Sequence, residues 1–542
     1  TARAAGLALG DEAATASFRR GLLTGTSLAG AATRTAHPDT LTLAQVLGMV
    51  ANLRYPTVRV LETTDFHGAL LPGGKDRASG RALGGEPVLA AWIAKLRAEN
   101  PEGTILLDGG DAFQGTMISN LQYGRPVVEA MNLLGYAGIA VGNHDFDWSA
   151  DTLQRRVDEM HFGAFAANLQ ERHSGRMPRW ARADTLFLRR GVRVAMLGLA
   201  YVGTPYVTLA SNVAGLRFAD DSATAARMVP ALRKRFRPQV VIELGHTPGA
   251  LDSARRVDGD LGRLSRVPGV DLWMGGHSHN YVLGETNGAT VMIPGSQGLA
   301  IGVCDLTVDP VAGRVVERRA RLQSTFADEV VPDSAMAVRL AGWNAGVSRV
   351  AATPIGENAR ALTRSRGSES VLGDLVTDAM RAAVHADLAF TNSGGLRADL
   401  AAGTVTRGAV YDVIPFDNTI VVLKLTGAQV RALLEDGLTH GRVSQQSGLR
   451  YRFDLSRPEG QRLTAVSLAD GSALEETRTY AVAVNNFMAS GGDNYDSLAR
   501  IRDQVDTGVL LRDALEQHLK ARTRNGPLDM RADGRIEGGG RP

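Results

Sequence analysis

Val141-Gly142-Asn143-His144-Asp145-Phe146-Asp147 closes the short apolar run 139–141. Positions 143–147 gather an amide oxygen, an imidazole and two carboxylates, a concentration that packing alone does not account for. A buried strand that stops in such a cluster points to an α/β sheet. Ligands of open α/β sheets collect beyond the carboxyl ends of the strands.

The same pattern recurs on both sides of this stretch. β-rich runs are expected at 57–64, 104–107, 139–141, 192–199, 240–244 and 270–274, and five of these six end in Asp, His, Asn or Gly. Asp65 and His67 follow the first run and are expected on one face, because strand side chains alternate. Leu107-Asp108-Gly109-Gly110-Asp111 follows the second; its glycines let backbone approach a ligand, and a protruding carboxylate can bridge two cations. His246 in Gly245-His246-Thr247 and the pair His277 and His279 in Gly275-Gly276-His277-Ser278-His279 complete the series. Each cluster alone reads as an ordinary polar loop. Together they hold five of the chain's 11 His residues, and imidazole, carboxylate and amide without thiolate suit a divalent ion used for hydrolysis.

Helical patterns fall between the strands, at 87–99 and 222–236, as an α/β domain requires. A helical stretch at 334–350 reads as a linker into a second region, with a helix at 371–384, β-rich runs at 419–425 and 480–484, and a Gly-rich tail at 534–542 expected to fray.

Composition narrows the class. A chain of 542 residues exceeds one hydrophobic core, so two or three domains are expected. Lys plus Arg is 60 against 57 for Asp plus Glu, and a net charge of +3 gives no sign of a nucleic-acid or membrane-surface protein. Cys304 is the only cysteine, which excludes an intramolecular disulfide and a thiolate metal cluster. No apolar run reaches the roughly 18 residues of a spanning helix. Phe18-Arg19-Arg20-Gly21-Leu22-Leu23 resembles a twin-arginine export signal and reads equally as an Arg-capped helix.

The order DxH, GGD, GNHDFD, GH, GHSH resembles the calcineurin-like metallophosphoesterases. That resemblance implies a four-layer α/β/β/α sandwich with two metal ions (Zn, Mn, Mg or Co). One ion would take Asp65, His67, Asp111 and His279, the other Asp111, Asn143, His246 and His277, with Asp111 as the bridge. It also implies that His144 faces the phosphoryl group and that Asp147 orients it.

Thr391-Asn392-Ser393-Gly394-Gly395-Leu396-Arg397-Ala398-Asp399, Ile414-Pro415-Phe416-Asp417-Asn418 and the stretch from Asn486-Phe487 to Gly492-Asp493-Asn494-Tyr495 resemble the α/β nucleotide-binding domain of 5'-nucleotidases. Phe416 and Phe487 would then clamp a base, each stacking contact being worth about 1–3 kcal/mol. Arg366 and Arg397 would hold phosphate oxygens in their guanidinium forks. Asn392 and Asn418 would sit at the substrate, and Asp493 would accept protons from ribose hydroxyls. Asp417 stands where the family has Gly, a replacement that Asp tolerates at positive φ.

The organisation expected is an extension at 1–54, a metallophosphoesterase domain at 55–330, a linker helix at 331–353, a substrate-binding domain at 354–533 and a tail at 534–542. The resemblance implies hydrolysis of nucleoside 5'-phosphates, and of related nucleotide sugars or 2',3'-cyclic nucleotides, through a metal-bridging hydroxide. It also implies a hinge between the domains and a nucleotide as partner, with no obligate protein partner expected; the pattern at 18–23 adds the expectation of export to the periplasm or medium. Two alternatives are a sulfur-oxidation-type dimanganese thiohydrolase, a branch that typically loses the GNH pattern kept here, and a catalytically silent nucleotide-binding protein.

Overall fold

The computed structural model describes residues 55–539, apart from positions 77 and 440, so the Arg19-Arg20 pattern lies outside the described residues. Two sheets stack in the N-terminal half. The seven-stranded sheet has Thr57–Thr63 as its third strand, antiparallel to Ala300–Asp309 and parallel to the central Thr104–Asp108, with Gly138–Ala140 next. The six-stranded sheet runs Val192–Leu199, Val240–Gly245 and Leu272–Met274 in parallel.

Side-chain alternation builds the layers. Val58, Val60, Ile105 and Leu107 face Val194, Met196, Ile242 and Met274 in a core between the sheets, where Cys304 is also buried. The opposite faces are covered too. Leu61, Leu106 and Ile139 pack under the helix Glu86–Ala98 through Trp92, Ile93 and Leu96. Leu197, Val241 and Trp273 pack under Asp221–Phe236 through Ala225, Val229 and Leu232. Helix, sheet, sheet and helix therefore stack in the expected order, and strands covered on both faces read as continuous apolar runs.

Register then decides where the chemistry falls. Thr63 pairs with Asp108 and Asp108 with Ile139, so three neighbouring strands of the first sheet end at one level. In the second sheet Leu199 pairs with Gly245 and Leu244 with Met274. The loops beyond these ends meet at one edge of the sandwich.

The C-terminal half has a five-stranded sheet in the order Ser444–Ser447, Leu388–Asn392, Thr479–Asn485, Thr419–Thr426, Gln504–Leu510. Ala389, Ile420 and Ala483 pack against the helices Val371–Val384 and Leu511–Arg522. Leu388, Phe390, Val482 and Val484 face Gly427–Leu438, whose start is fixed by a capping box of Thr426 and Gln429.

Two expectations need correction. The helix expected over 334–350 is two helices, Ser334–Asn344 and Ser348–Ala351, interrupted around Gly346, a residue of low helix propensity. The first packs on the N-terminal core through Met336 and Leu340, whereas Val347 and Ala351 meet Tyr411 of the C-terminal half. The tail expected to fray contains the strand Ile536–Gly539, paired in parallel with Leu449–Asp454 and anchored by the buried Ile536.

Candidate active site

Five of the seven expected metal ligands sit in left-handed backbone: Asp65, His67, Asp111, His277 and His279 have φ between 50° and 63°. Non-glycine residues adopt this region rarely, and a cluster of them marks a place where surrounding structure holds a costly conformation. Strand alternation is therefore not what brings Asp65 and His67 together. The strand ends at Thr63, and both residues lie in a turn beyond it, held by bonds from Asp65 N to Gly110 O (2.9 Å) and His67 N to Asp111 O (3.0 Å).

The ligand atoms converge in two groups. Asp65, His67 and His279 form one, Asp111, His246 and His277 the other, each with its atoms within 4.8 Å of one another. His246 Nε2 lies 3.0 Å from Asp111 Oδ2 and 3.9 Å from Asp65 Oδ1, so the groups adjoin. Asn143 Oδ1 meets His277 Nδ1 at 2.8 Å, beside the second group.

The donor chemistry fits cations. His67 Nδ1 is 2.8 Å from Gln114 O, and His246 Nδ1 is 2.7 Å from Gly109 O. A carbonyl only accepts, so each Nδ1 carries a proton and each ring turns its Nε2 inward, the atom a cation would bind. His67 Nε2 points at His279 Nε2 (3.1 Å) and His246 Nε2 at the Asp111 carboxylate (3.0 Å). Asp65 and Asp111 are 0% and 1% exposed, and against the cost of burial they raise His246 to about 10. Burial lowers His277 to about 3. The site thus calls for positive charge, and it fits two divalent metal ions.

His144 stands between the metal groups and the C-terminal half. Its Nδ1 is 2.8 Å from Asp147 Oδ2, and Asp147 is steadied by Thr208 Oγ1 (3.1 Å). Burial alone would lower the imidazole, but Asp147 and Asp111 outweigh it and raise it above the ordinary value. The His144 ring stacks on Phe416 at 5.4 Å, and the Arg397 guanidinium lies 5.8 Å from the centre of the same Phe416 ring. Burial, then Arg366 and Arg364, bring Arg397 down to about 10. Asn392 Nδ2 donates to Asp493 Oδ2 (2.8 Å) and Asn120 Nδ2 donates across the halves to Pro415 O (3.0 Å).

A cavity of about 520 Å³ joins these groups. Asp111, Asn143, His144, Asp147, His277 and His279 line it from one half, and Arg366, Asn392, Arg397, Phe416, Asn418, Phe487 and Asp493 from the other. Asp65, His67 and His246 are buried and do not line it; His67 borders a neighbouring cavity together with His279, Arg366 and Arg397. Gly492 packs flat on Phe487, where an added Cβ would stand 2.3 Å from the ring. Asp417 adopts no positive φ, contrary to expectation, and its carboxylate is bound by Arg512 at 2.8 Å.

Three contributors escaped the sequence reading. Asp145 accepts from Asp111 N (3.1 Å), Ala112 N (3.0 Å) and Gly142 N (2.9 Å), clamping two ligand-bearing loops together. Tyr201 packs against the His277 ring at 4.3 Å and lines the cavity. It follows Val192–Leu199, the one of the six runs that does not end in Asp, His, Asn or Gly; convergence of all the strand ends is the available signal. Arg442 pairs with Asp493 at 3.2 Å, and nothing in its surrounding sequence singles it out.

Comparison with known proteins places both halves. A calcineurin-like phosphoesterase family model matches residues 58–281, and a 5'-nucleotidase C-terminal domain model matches residues 346–500. The chain is 25% identical over 506 residues to Endonuclease YhcR of Bacillus subtilis, covering 89% of this chain and 41% of that protein, so it spans less than half of that relative. The crystal structure of a 5'-nucleotidase precursor from Thermus thermophilus superposes with a TM-score of 0.81 at 28% identity, covering 89% of this chain and 99% of that one. The sulfate thiohydrolase SoxB of Thermus thermophilus shares the fold, with a TM-score of 0.74 at 20% identity over 90% of this chain and 97% of that one.

Proposed function

Because the chain belongs to the 5'-nucleotidase and calcineurin-like metallophosphoesterase superfamily, with a C-terminal 5'-nucleotidase domain, we propose that it hydrolyses nucleoside 5'-phosphates to nucleoside and phosphate. The observation that carries this reading is a cavity lined both by ligands of the two metal groups, Asp111, Asn143, His277 and His279, and by the substrate-side residues. Related nucleotides, including nucleotide sugars and 2',3'-cyclic nucleotides, belong to the same proposed range.

In this reading Asp65, His67, Asp111 and His279 hold one divalent ion, and Asp111, Asn143, His246 and His277 hold the other. When bound, such a pair supplies Lewis-acid charge to phosphoryl oxygens and lowers the pKa of water. The chain's own groups do the rest. With Nδ1 engaged by Asp147, His144 offers its Nε2 proton to a phosphoryl or leaving oxygen. Arg366 and Arg397 hold the remaining phosphate oxygens, and burial of Arg397 strengthens each charge-assisted bond it makes. Phe416 and Phe487 grip the base, Asn392 and Asn418 orient the substrate, and Asp493 accepts from ribose hydroxyls. One face of Phe416 is covered by His144, so a base stacking there displaces that contact, in keeping with a rotation of the halves about 345–353. The Arg19-Arg20 pattern supports export of the folded protein.

Phosphate release measured from AMP, UMP, ATP, UDP-glucose and 2',3'-cyclic AMP, with Zn, Mn, Mg and Co in turn, tests the proposal. The account expects metal-dependent release from at least one nucleoside 5'-phosphate. Inactivity on all of them with every metal would favour a silent binding protein, and release only from a sulfonated carrier would favour the thiohydrolase.

A further inference from the structure

The loop before Val371–Val384 and the segment before Ile536–Gly539 meet at a third group of carboxylates, in the C-terminal half and made without histidine. Glu369, Asp374 and Asp533 bring one oxygen each within 4.8 Å of the others. Like charges gathered this closely repel unless something positive or a proton stands among them.

Asp374 makes the arrangement more than a chance acidic patch. It is 1% exposed, and both its carboxylate oxygens lack a hydrogen-bond partner. The nearest cation does not satisfy it. Arg535 Nε is 3.9 Å from Asp374 Oδ1, while the Arg535 fork is taken by Asp378 at 2.7 and 3.0 Å and by Asp533 at 3.0 Å. Burial pushes the Asp374 carboxyl up to about 8, Arg535 offsetting part of this and Glu369 and Asp533 adding to it. Glu369 and Asp533 are meanwhile held in place, since Asp533 N donates to Glu369 Oε1 at 3.0 Å.

We propose that Glu369, Asp374 and Asp533 bind a hard divalent cation, Ca²⁺ in the first instance, which fastens the C-terminal strand segment to the loop that opens Val371–Val384. The ligands are all carboxylate oxygens, the set that suits Ca²⁺, Mg²⁺ or Mn²⁺. Asp533 is exposed, so water completes the shell and the cation exchanges with solvent. Binding to the folded chain alone stabilises it by mass action.

The test uses the full chain with Zn²⁺ already filling the histidine-containing centre, so that added Ca²⁺ reports on the third group. Ca²⁺ uptake is measured by equilibrium dialysis and the melting temperature is followed up to about 10 mM Ca²⁺, which spans the weak end of protein affinities. The wild type is expected to take up one Ca²⁺ and to melt about 5 °C higher at saturation. Glu369→Gln and Asp533→Asn keep their acceptor oxygens for Asp533 N and Arg535, so both variants should fold, lose that Ca²⁺ and lose the shift. Equal Ca²⁺ uptake in wild type and variants, or a wild type indifferent to Ca²⁺, would overturn the proposal and leave a proton shared between Glu369 and Asp374 as the explanation.

Discussion

The two walls of the cavity are built differently. On the N-terminal side the ligand-bearing turns are bound to each other through backbone, with Asp65, Asn143 and His246 0% exposed and two imidazoles fixed by carbonyls. On the C-terminal side the groups come from separate loops; Asn392 and Asn418 are buried there, whereas Arg442, paired with Asp493, keeps 43% of its side chain in solvent. The first wall is organised before substrate arrives, as electrostatic catalysis requires. The second takes its position from the placement of one half against the other, which suits a surface that must open to admit and release a nucleotide.

Substitutions break this comparison in graded steps. Asp111→Ala removes the carboxylate next to both metal groups, and nucleotide hydrolysis is expected to fall by about 10³-fold or more, with metal lost as judged by elemental analysis. His144→Ala should cut kcat by about 10²–10⁴-fold while the metal content stays that of the wild type, which separates the two roles. Asp145→Ala leaves three loop N–H groups unpaired and touches no substrate, so metal affinity should weaken by about 10–100-fold with normal turnover once metal is saturating. On the other wall Phe487→Ala should raise KM for AMP by about 5–100-fold and leave metal content untouched; a drop in bound metal would mean that the walls are not independent.

Much of this was legible because strands covered on both faces are unbroken apolar runs that stop where the chemistry starts. The run at 57–64 is the strand Thr57–Thr63, and the helix read at 371–384 is Val371–Val384. What could not be read is backbone conformation. Asp65 and His67 meet in one group through left-handed turns, because loop φ angles are set by the bonds that Asp65 N and His67 N donate to Gly110 O and Asp111 O and not by residue type. Asp145 was hidden for a related reason: a carboxylate that holds three backbone N–H groups looks in sequence like one more candidate ligand. Gly346 and Ile536 mark the remaining errors, a helix continued past a glycine and a strand missed because its partner, Leu449–Asp454, lies far earlier in the chain.

The central claim is that seven side chains from separate loops close around two divalent ions. The most direct measurement is the Zn²⁺ content per chain after exhaustive removal of free metal, in the wild type and in Asp111→Ala. The account predicts two equivalents in the wild type and at most one in the variant. One equivalent or none in a fully folded wild type, or two in both proteins, would contradict it.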